Sequence, residues 1–143
     1  MMLLDANLLL YAYHPQAPQH RRAAQWLESV FSDRGPVGLA WMTIWAFIRI
    51  VTNSRVFERP LGTDEAVAIA GGWLSQPSAV LLDPGERYWA ILRLLLVDGQ
   101  VSGPLVTDAA LAALALEHGA VLCTTDRDFS RFPSLKTLNP LLG

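Results

Sequence analysis

Two short apolar runs, each closing on an aspartate, constrain this chain more than anything else in it. Met1-Met2-Leu3-Leu4 runs into Asp5, and Ala120-Val121-Leu122-Cys123-Thr124-Thr125 runs into Asp126. A short apolar run without alternation reads as a strand buried on both faces. Such strands belong to parallel sheets, and in open parallel sheets ligands sit beyond the carboxyl ends of the strands. Both aspartates are therefore expected at one edge.

The rest of the chain fits between these runs as alternating helices and short strands. Asp5-Ala6-Asn7 predicts a turn into a short helix over residues 8–13, stopped near His14-Pro15. Asp and Asn both suit such a start, because their oxygens accept free backbone N–H groups. Apolar residues at Ala23, Ala24, Trp26, Leu27, Val30 and Phe31 have helical spacing and predict a helix over 19–33, ended by Gly35-Pro36. Residues 37–53 are apolar almost all round and read as one buried or partner-covered helix. A loop follows over 54–62. Thr63-Asp64-Glu65 then opens a helix running to about Leu74, with a hydroxyl cap and acids in the first turn. Residues 79–82 read as a strand, 86–97 as a helix and 99–103 as a loop. Asp108 begins a helix rich in Ala and Leu that Gly119 closes. Residues 135–138 predict a last strand. The alternation indicates a parallel α/β sheet.

A chain of 143 residues is expected to form a single domain, residues 1–143. Its 52% hydrophobic content raises the question of a membrane. The longest uncharged stretches, 35–48 and 66–82, are broken by Gly, Pro, Ser or Thr, and neither reaches the ~20 apolar residues of a spanning helix. A sheet buried on both faces, plus a protein partner, accounts for the surplus better. The N-terminus lacks the pattern of a signal peptide. The single cysteine, Cys123, excludes an internal disulfide and suits a reducing cytoplasm. A net charge of −2 leaves no global basic field, so any binding of nucleic acid must rely on a local basic patch or on metal ions.

Asp5, Asp108, Asp126 and Asp128 form the candidate constellation. Carboxylates brought together cannot all stay ionised without a cation or shared protons. Hard oxygen ligands suit Mg²⁺ or Mn²⁺, ions that activate water and stabilise charge on a phosphoryl group. The physical reading is metal-dependent phosphodiester hydrolysis. Each acid also has a plainer reading: Asp5 and Asp108 as helix caps, and Asp126 with Asp128 as a solvated turn. Thr124 and Thr125 are ordinary strand residues or hydroxyls that serve a water or phosphate oxygen. His14, His20 and His118 have no metal-type spacing, Cys123 reads as a packed residue, and no Gly-rich phosphate loop is present. Trp26, Trp45, Trp73 and Trp89 lie in apolar helical patterns that suit a core or an interface.

LLDANLLLYAY at the start, VTDAALAALALEHGAVLCTTDRDFSRF near the end and the terminal LKTLNPLLG resemble a PIN-domain ribonuclease. More closely they resemble the VapC-type toxins of bacterial toxin–antitoxin pairs, and AFIRIVTNSRVFERPL is similar to a subgroup of these. The resemblance implies a three-layer α/β/α fold with a central, mainly parallel sheet. It implies a Mg²⁺- or Mn²⁺-dependent endoribonuclease acting on RNA, often transfer or ribosomal RNA. A cognate VapB-type antitoxin that covers the site and a homodimer are also implied. By position, Asp5, Asp108 and Asp126 match metal-binding catalytic acids, Asp128 an accessory acid, and Asn7 and Thr124 supporting polar residues. Arg49 and Arg55, with Arg59, fall near the rim of the site, where they hold RNA phosphates or form a solvated surface. The sequence departs from the family at Ala46, where a second acid, a Glu, is usual, and no Asp or Glu occurs between Asp33 and Glu58. That gap keeps open a rival of another class, a PIN-like module that holds RNA or an antitoxin without cutting. A third reading is a phosphatase or DNA nuclease built on the same carboxylates.

Overall fold

The computed structural model describes residues 1–33 and 35–142; Gly143, the last residue of the terminal motif and of the expected domain, lies outside the described residues. The first apolar run is strand β1 (Met2–Leu4), and Asp5 caps helix α1 (Ala6–Ala12) directly after it. Helix α2 (His20–Ser32) packs against α1 and leads to strand β2 (Val37–Leu39). Then come helices α3 (Trp41–Val51) and α4 (Thr63–Leu74), strand β3 (Ala79–Leu81), and helices α5 (Tyr88–Asp98) and α6 (Leu105–His118). Strand β4 (Val121–Cys123), a 3-10 helix (Arg127–Arg131) and strand β5 (Thr137–Leu138) complete the order.

The five strands among the described residues join one sheet in the order β3-β2-β1-β4-β5, and every pairing is parallel. β1 lies at the centre, with Leu3 opposite Gly38 on one side and Leu122 on the other. Its two leucines point to opposite layers, as strand alternation requires. Leu4 joins a core built from α1, α2, α3 and α4, and Leu3 joins one built from α5, α6, Phe129 and Phe132. Both are fully buried, a gain of roughly 1.5–3 kcal/mol each. In the first core the Phe47 ring meets Trp73 edge-on at 4.7 Å and Tyr13 at 5.9 Å. The expected three-layer α/β/α architecture with a parallel sheet is thus present. No described helix is long and apolar enough to cross a membrane.

Three expectations need correction. Residues 37–53 are not one helix: Val37-Gly38-Leu39 is a strand, and the helix starts at Trp41. A three-residue apolar strand running straight into an apolar helix has no period of its own to reveal it. Gly38 is required there, since a Cβ would meet the Met2 carbonyl and the Leu82 side chain, both at 2.9 Å. The helix expected to begin at Asp108 begins at Leu105, which puts Asp108 inside the first turn. Gly62, not Thr63, is the N-cap of α4, and Glu65 accepts its N–H at 3.4 Å. Gly119 does close α6, in the left-handed conformation with φ of 64°.

Candidate metal centre

The site is built where β1 and β4 end side by side. Asp5 donates its N–H to the Cys123 carbonyl at 3.0 Å, continuing the β1–β4 ladder for one residue. Its side chain is held from two directions. Oδ1 accepts the Ala6 N–H at 2.7 Å, which is the helix cap, and Oδ2 accepts the Thr124 hydroxyl at 2.7 Å. Thr124 is 4% exposed, and its oxygen also accepts the Asn7 amide at 3.3 Å and the Asp126 N–H at 3.0 Å. One buried hydroxyl thus ties together three of the expected site residues. The carbonyl oxygen of the Asn7 side chain, Oδ1, is buried without a hydrogen-bond partner among the described residues.

Asp126 follows β4 and caps the 3-10 helix, its Oδ1 accepting the Asp128 N–H at 2.9 Å. Asp108 arrives from the first turn of α6 and makes no side-chain hydrogen bond among the described residues, so the capping alternative does not hold for it. One carboxylate oxygen from each of Asp108, Asp126 and Asp128 lies within 4.8 Å of the others. Asp5 stands outside that triad but shares its field. Burial raises the Asp5 carboxyl above its ordinary value, the bonds from Thr124 and Ala6 oppose the rise, and the charge of Asp126 adds to it. The Asp108 carboxyl is pushed up to about 6, first by burial, then by Asp126, Asp5 and Asp128, with Arg131 opposing.

These are the symptoms of a site short of positive charge. The donors are all oxygen, three of them close enough to share one ion, and they suit a hard divalent cation. Each oxygen of Asp5 accepts only one hydrogen bond, which leaves lone pairs for a ligand role as well. The residues present therefore fit a metal centre.

On the α3 side the acids open into a cleft of about 60 Å³ lined by Asp5, Thr43, Ala46, Thr107, Asp108 and Leu111. Ala46 thus stands beside Asp5 and Asp108, and no carboxylate enters from α3. On the β5 side Thr124 and Asp126 border a wider groove of about 600 Å³. Arg49 and Arg55 are exposed on α3 and the loop after it, and neither makes a hydrogen bond through its side chain to the described residues. Arg131, at the end of the 3-10 helix, is the cation that acts on Asp108. Spacing alone gives no sign of it, because one irregular turn decides which way it faces. Cys123 is buried and its thiol is pushed up to about 11 by burial, in keeping with a packed residue.

Comparison with known proteins agrees with this architecture. The profile of the PIN domain matches residues 2–135. Ribonuclease VapC37 of Mycobacterium tuberculosis is 39% identical over 140 residues, covering 98% of this chain and 97% of that protein. Ribonuclease VapC33 of the same organism is 40% identical over 141 residues, covering 99% of each. Among solved structures, VapC20 of M. tuberculosis, a toxin described as cleaving the sarcin-ricin loop, superimposes with a TM-score of 0.67 at 17% identity, over 91% of this chain and 93% of that one. VapBC2 from Rickettsia felis, bound to a promoter DNA fragment, gives 0.67 at 18% identity over 96% and 97%. At such identities the structures speak for the fold, and the full-length sequence relatives speak for the family. This chain belongs to the PIN-domain family and, within it, to the VapC ribonucleases.

Proposed function

We propose that the chain is a Mg²⁺- or Mn²⁺-dependent endoribonuclease, the toxin of a VapBC-type pair, folded as a single PIN domain over residues 1–143. The observation that carries this reading is the convergence of Asp108, Asp126 and Asp128 to within 4.8 Å, beside an Asp5 fixed by Thr124. Asp5, Asp108 and Asp126 are the catalytic, metal-holding acids, and Asp128 is accessory. Bound there, the cation would neutralise charge on the scissile phosphoryl group and lower the pKa of an attacking water. The chain's own residues do the positioning. Thr124 and Ala6 fix the plane of the Asp5 carboxylate, Asn7 holds Thr124, and Asp126 is held through its backbone by Thr124. Arg49 and Arg55 are exposed and free to meet RNA phosphates.

The substrate class is RNA, with transfer or ribosomal RNA as the leading targets, and the compartment is the cytoplasm. A cognate VapB-type antitoxin is the natural partner, in line with the VapBC complexes among the structural neighbours. A homodimer is supported by exposed apolar side chains on two helices: Trp41 and Trp45 on α3, and Trp89, Leu94 and Val97 on α5. Surface of this kind is uncommon on a solitary soluble chain. A second reading, a catalytically weak RNA- or antitoxin-binding module, is favoured by one observation: Ala46 leaves the α3 wall of the cleft without an acid.

Cleavage of total RNA by the antitoxin-free protein decides between them. Discrete fragments that need Mg²⁺ or Mn²⁺, vanish with EDTA and are lost with Asp5→Asn are expected. Folded protein that cuts nothing with either metal would leave the binding module.

A further inference from the structure

Beyond Thr124 and Asp126, the groove on the β5 side is lined by residues that do not hold the acids. Its volume of about 600 Å³ falls in the range of small-ligand pockets. Its walls come from four separated parts of the chain: α1, the turn before α2, the end of β4 with the 3-10 helix, and the segment after β5. The lining is mixed, with Leu141 and Leu142 beside polar side chains, and several of those polar groups are uncommitted. The Tyr11 hydroxyl, the Gln19 amide and the Thr125 hydroxyl have no hydrogen-bond partner among the described residues. Asn139 spends only its Oδ1, on the Leu141 N–H at 3.0 Å, and keeps its amide donors. Arg127 places a cation at the rim next to Asp126.

That inventory matches one kind of ligand. Gln19 supplies a donor and an acceptor and Asn139 supplies donors, which is what reads the edge of a nucleobase. A tyrosine ring supplies a stacking face. An arginine beside the acids supplies a contact for a phosphate. An apolar peptide would strand these polar groups without partners.

We infer that this groove, between Tyr11, Gln19, Asn139 and Arg127, seats an unpaired RNA nucleotide next to the scissile phosphate and so sets part of the sequence preference. The inference rests on the ribonuclease reading above and deepens it. The base must be unpaired, because its hydrogen-bonding edge faces the amides. The phosphate that joins this nucleotide to its neighbour then lies over Asp126, where the metal-holding acids begin. The strand continues on the other flank toward the α3 cleft and Arg49.

The test is binding of fluorescein-labelled, single-stranded homopolymers of A, C, G and U, read by anisotropy with Ca²⁺ replacing Mg²⁺ to hold back cleavage. Wild-type protein is expected to rank the four. Gln19→Met, which removes an amide that bonds nothing among the described residues, flattens the ranking and weakens the preferred homopolymer roughly 10-fold. Tyr11→Leu weakens all four by roughly 10-fold, and Tyr11→Phe, which keeps the ring, does not. The rise in melting temperature on adding Mn²⁺ stays as in the wild type for all three, which separates the groove from the metal centre and from damage to the fold. Unchanged affinity and ranking in Gln19→Met and Tyr11→Leu, while wild type binds, overturn the inference and leave the ribonuclease reading intact. Failure of the folded wild type to bind any of the four overturns the inference, while cleavage of total RNA still decides the ribonuclease reading.

Discussion

Replacing Asp108 by Asn is expected to make the metal-free protein more stable near neutral pH. The Asp108 carboxyl is pushed up to about 6 by burial and by the charges of Asp126, Asp5 and Asp128. Its ordinary value is 3.8, so between that pH and about 6 the native chain keeps a proton that the unfolded chain has released. Raising the pH through this window strips the proton and costs stability; the contribution is present below 3.8 and lost above about 6. The gap corresponds to ~3 kcal/mol at most. Asp108 is only partly buried, and solvent screening reduces the figure to ~1–2 kcal/mol. Asn keeps the shape of the side chain and removes the charge. For a chain of this length the gain is a melting temperature higher by ~3–7 °C. The assay is calorimetry in EDTA at about pH 7.5 and about pH 4, since only the higher pH ionises the wild-type carboxyl. The gain should appear at the higher pH and vanish at the lower. With Mn²⁺ the order reverses, because wild type gains stability from the ion and the variant gains much less. A variant less stable than wild type in EDTA at neutral pH, or a gain of equal size at both pH values, would refute the claim that like charge governs this site.

Thr124→Val removes the hydroxyl that holds Asp5, Asn7 and Asp126, and should lower Mn²⁺ affinity or cleavage by roughly 10–100-fold; titration calorimetry beside a cleavage assay reads both. Ala46→Glu adds a carboxylate to the wall that faces Asp5 and Asp108. It should destabilise the metal-free protein and tighten Mn²⁺ binding, and a variant that does neither shows that this wall does not reach the ion. Trp45→Glu places a charge amid the exposed apolar surface of α3, where the indole is 54% exposed. It should turn a dimer into a monomer in sedimentation velocity with little change in melting temperature, whereas a wild type already monomeric at high concentration ends that assignment.

Much of this arrangement is legible in the sequence, for identifiable reasons. Asp5 and Asp126 come directly after apolar runs, and parallel strands bring the residues at their carboxyl ends to one edge. The Ala-Leu content of α6 and its closing Gly119 announce a helix without help from the rest of the chain. The features that stay hidden depend on three-dimensional placement. β2 is too short to show a period, and its Gly38 is set by the close approach of Met2 and Leu82. The roles of Asp5 as cap and as site residue cannot be separated by spacing because the structure combines them: one oxygen caps α1 and the other meets Thr124. Nor does spacing say that Asp128, rather than Asp5, completes the closest triad, since one 3-10 turn decides it. The groove beside Asp126 draws on residues from 11 to 142, a set that no local pattern contains.

The hydrogen bond between Thr124 and Asp5 spans 119 residues of sequence. β1 is made well before its neighbour β4, with two strands and most of the helices between them. Until then Asp5 has neither its hydroxyl partner nor Asp126 beside it. A growing or truncated chain that stops short of residue 124 therefore carries its first acid but no metal centre. The acids of this site can therefore come together only after β4 has been made, however early β1 and α1 fold.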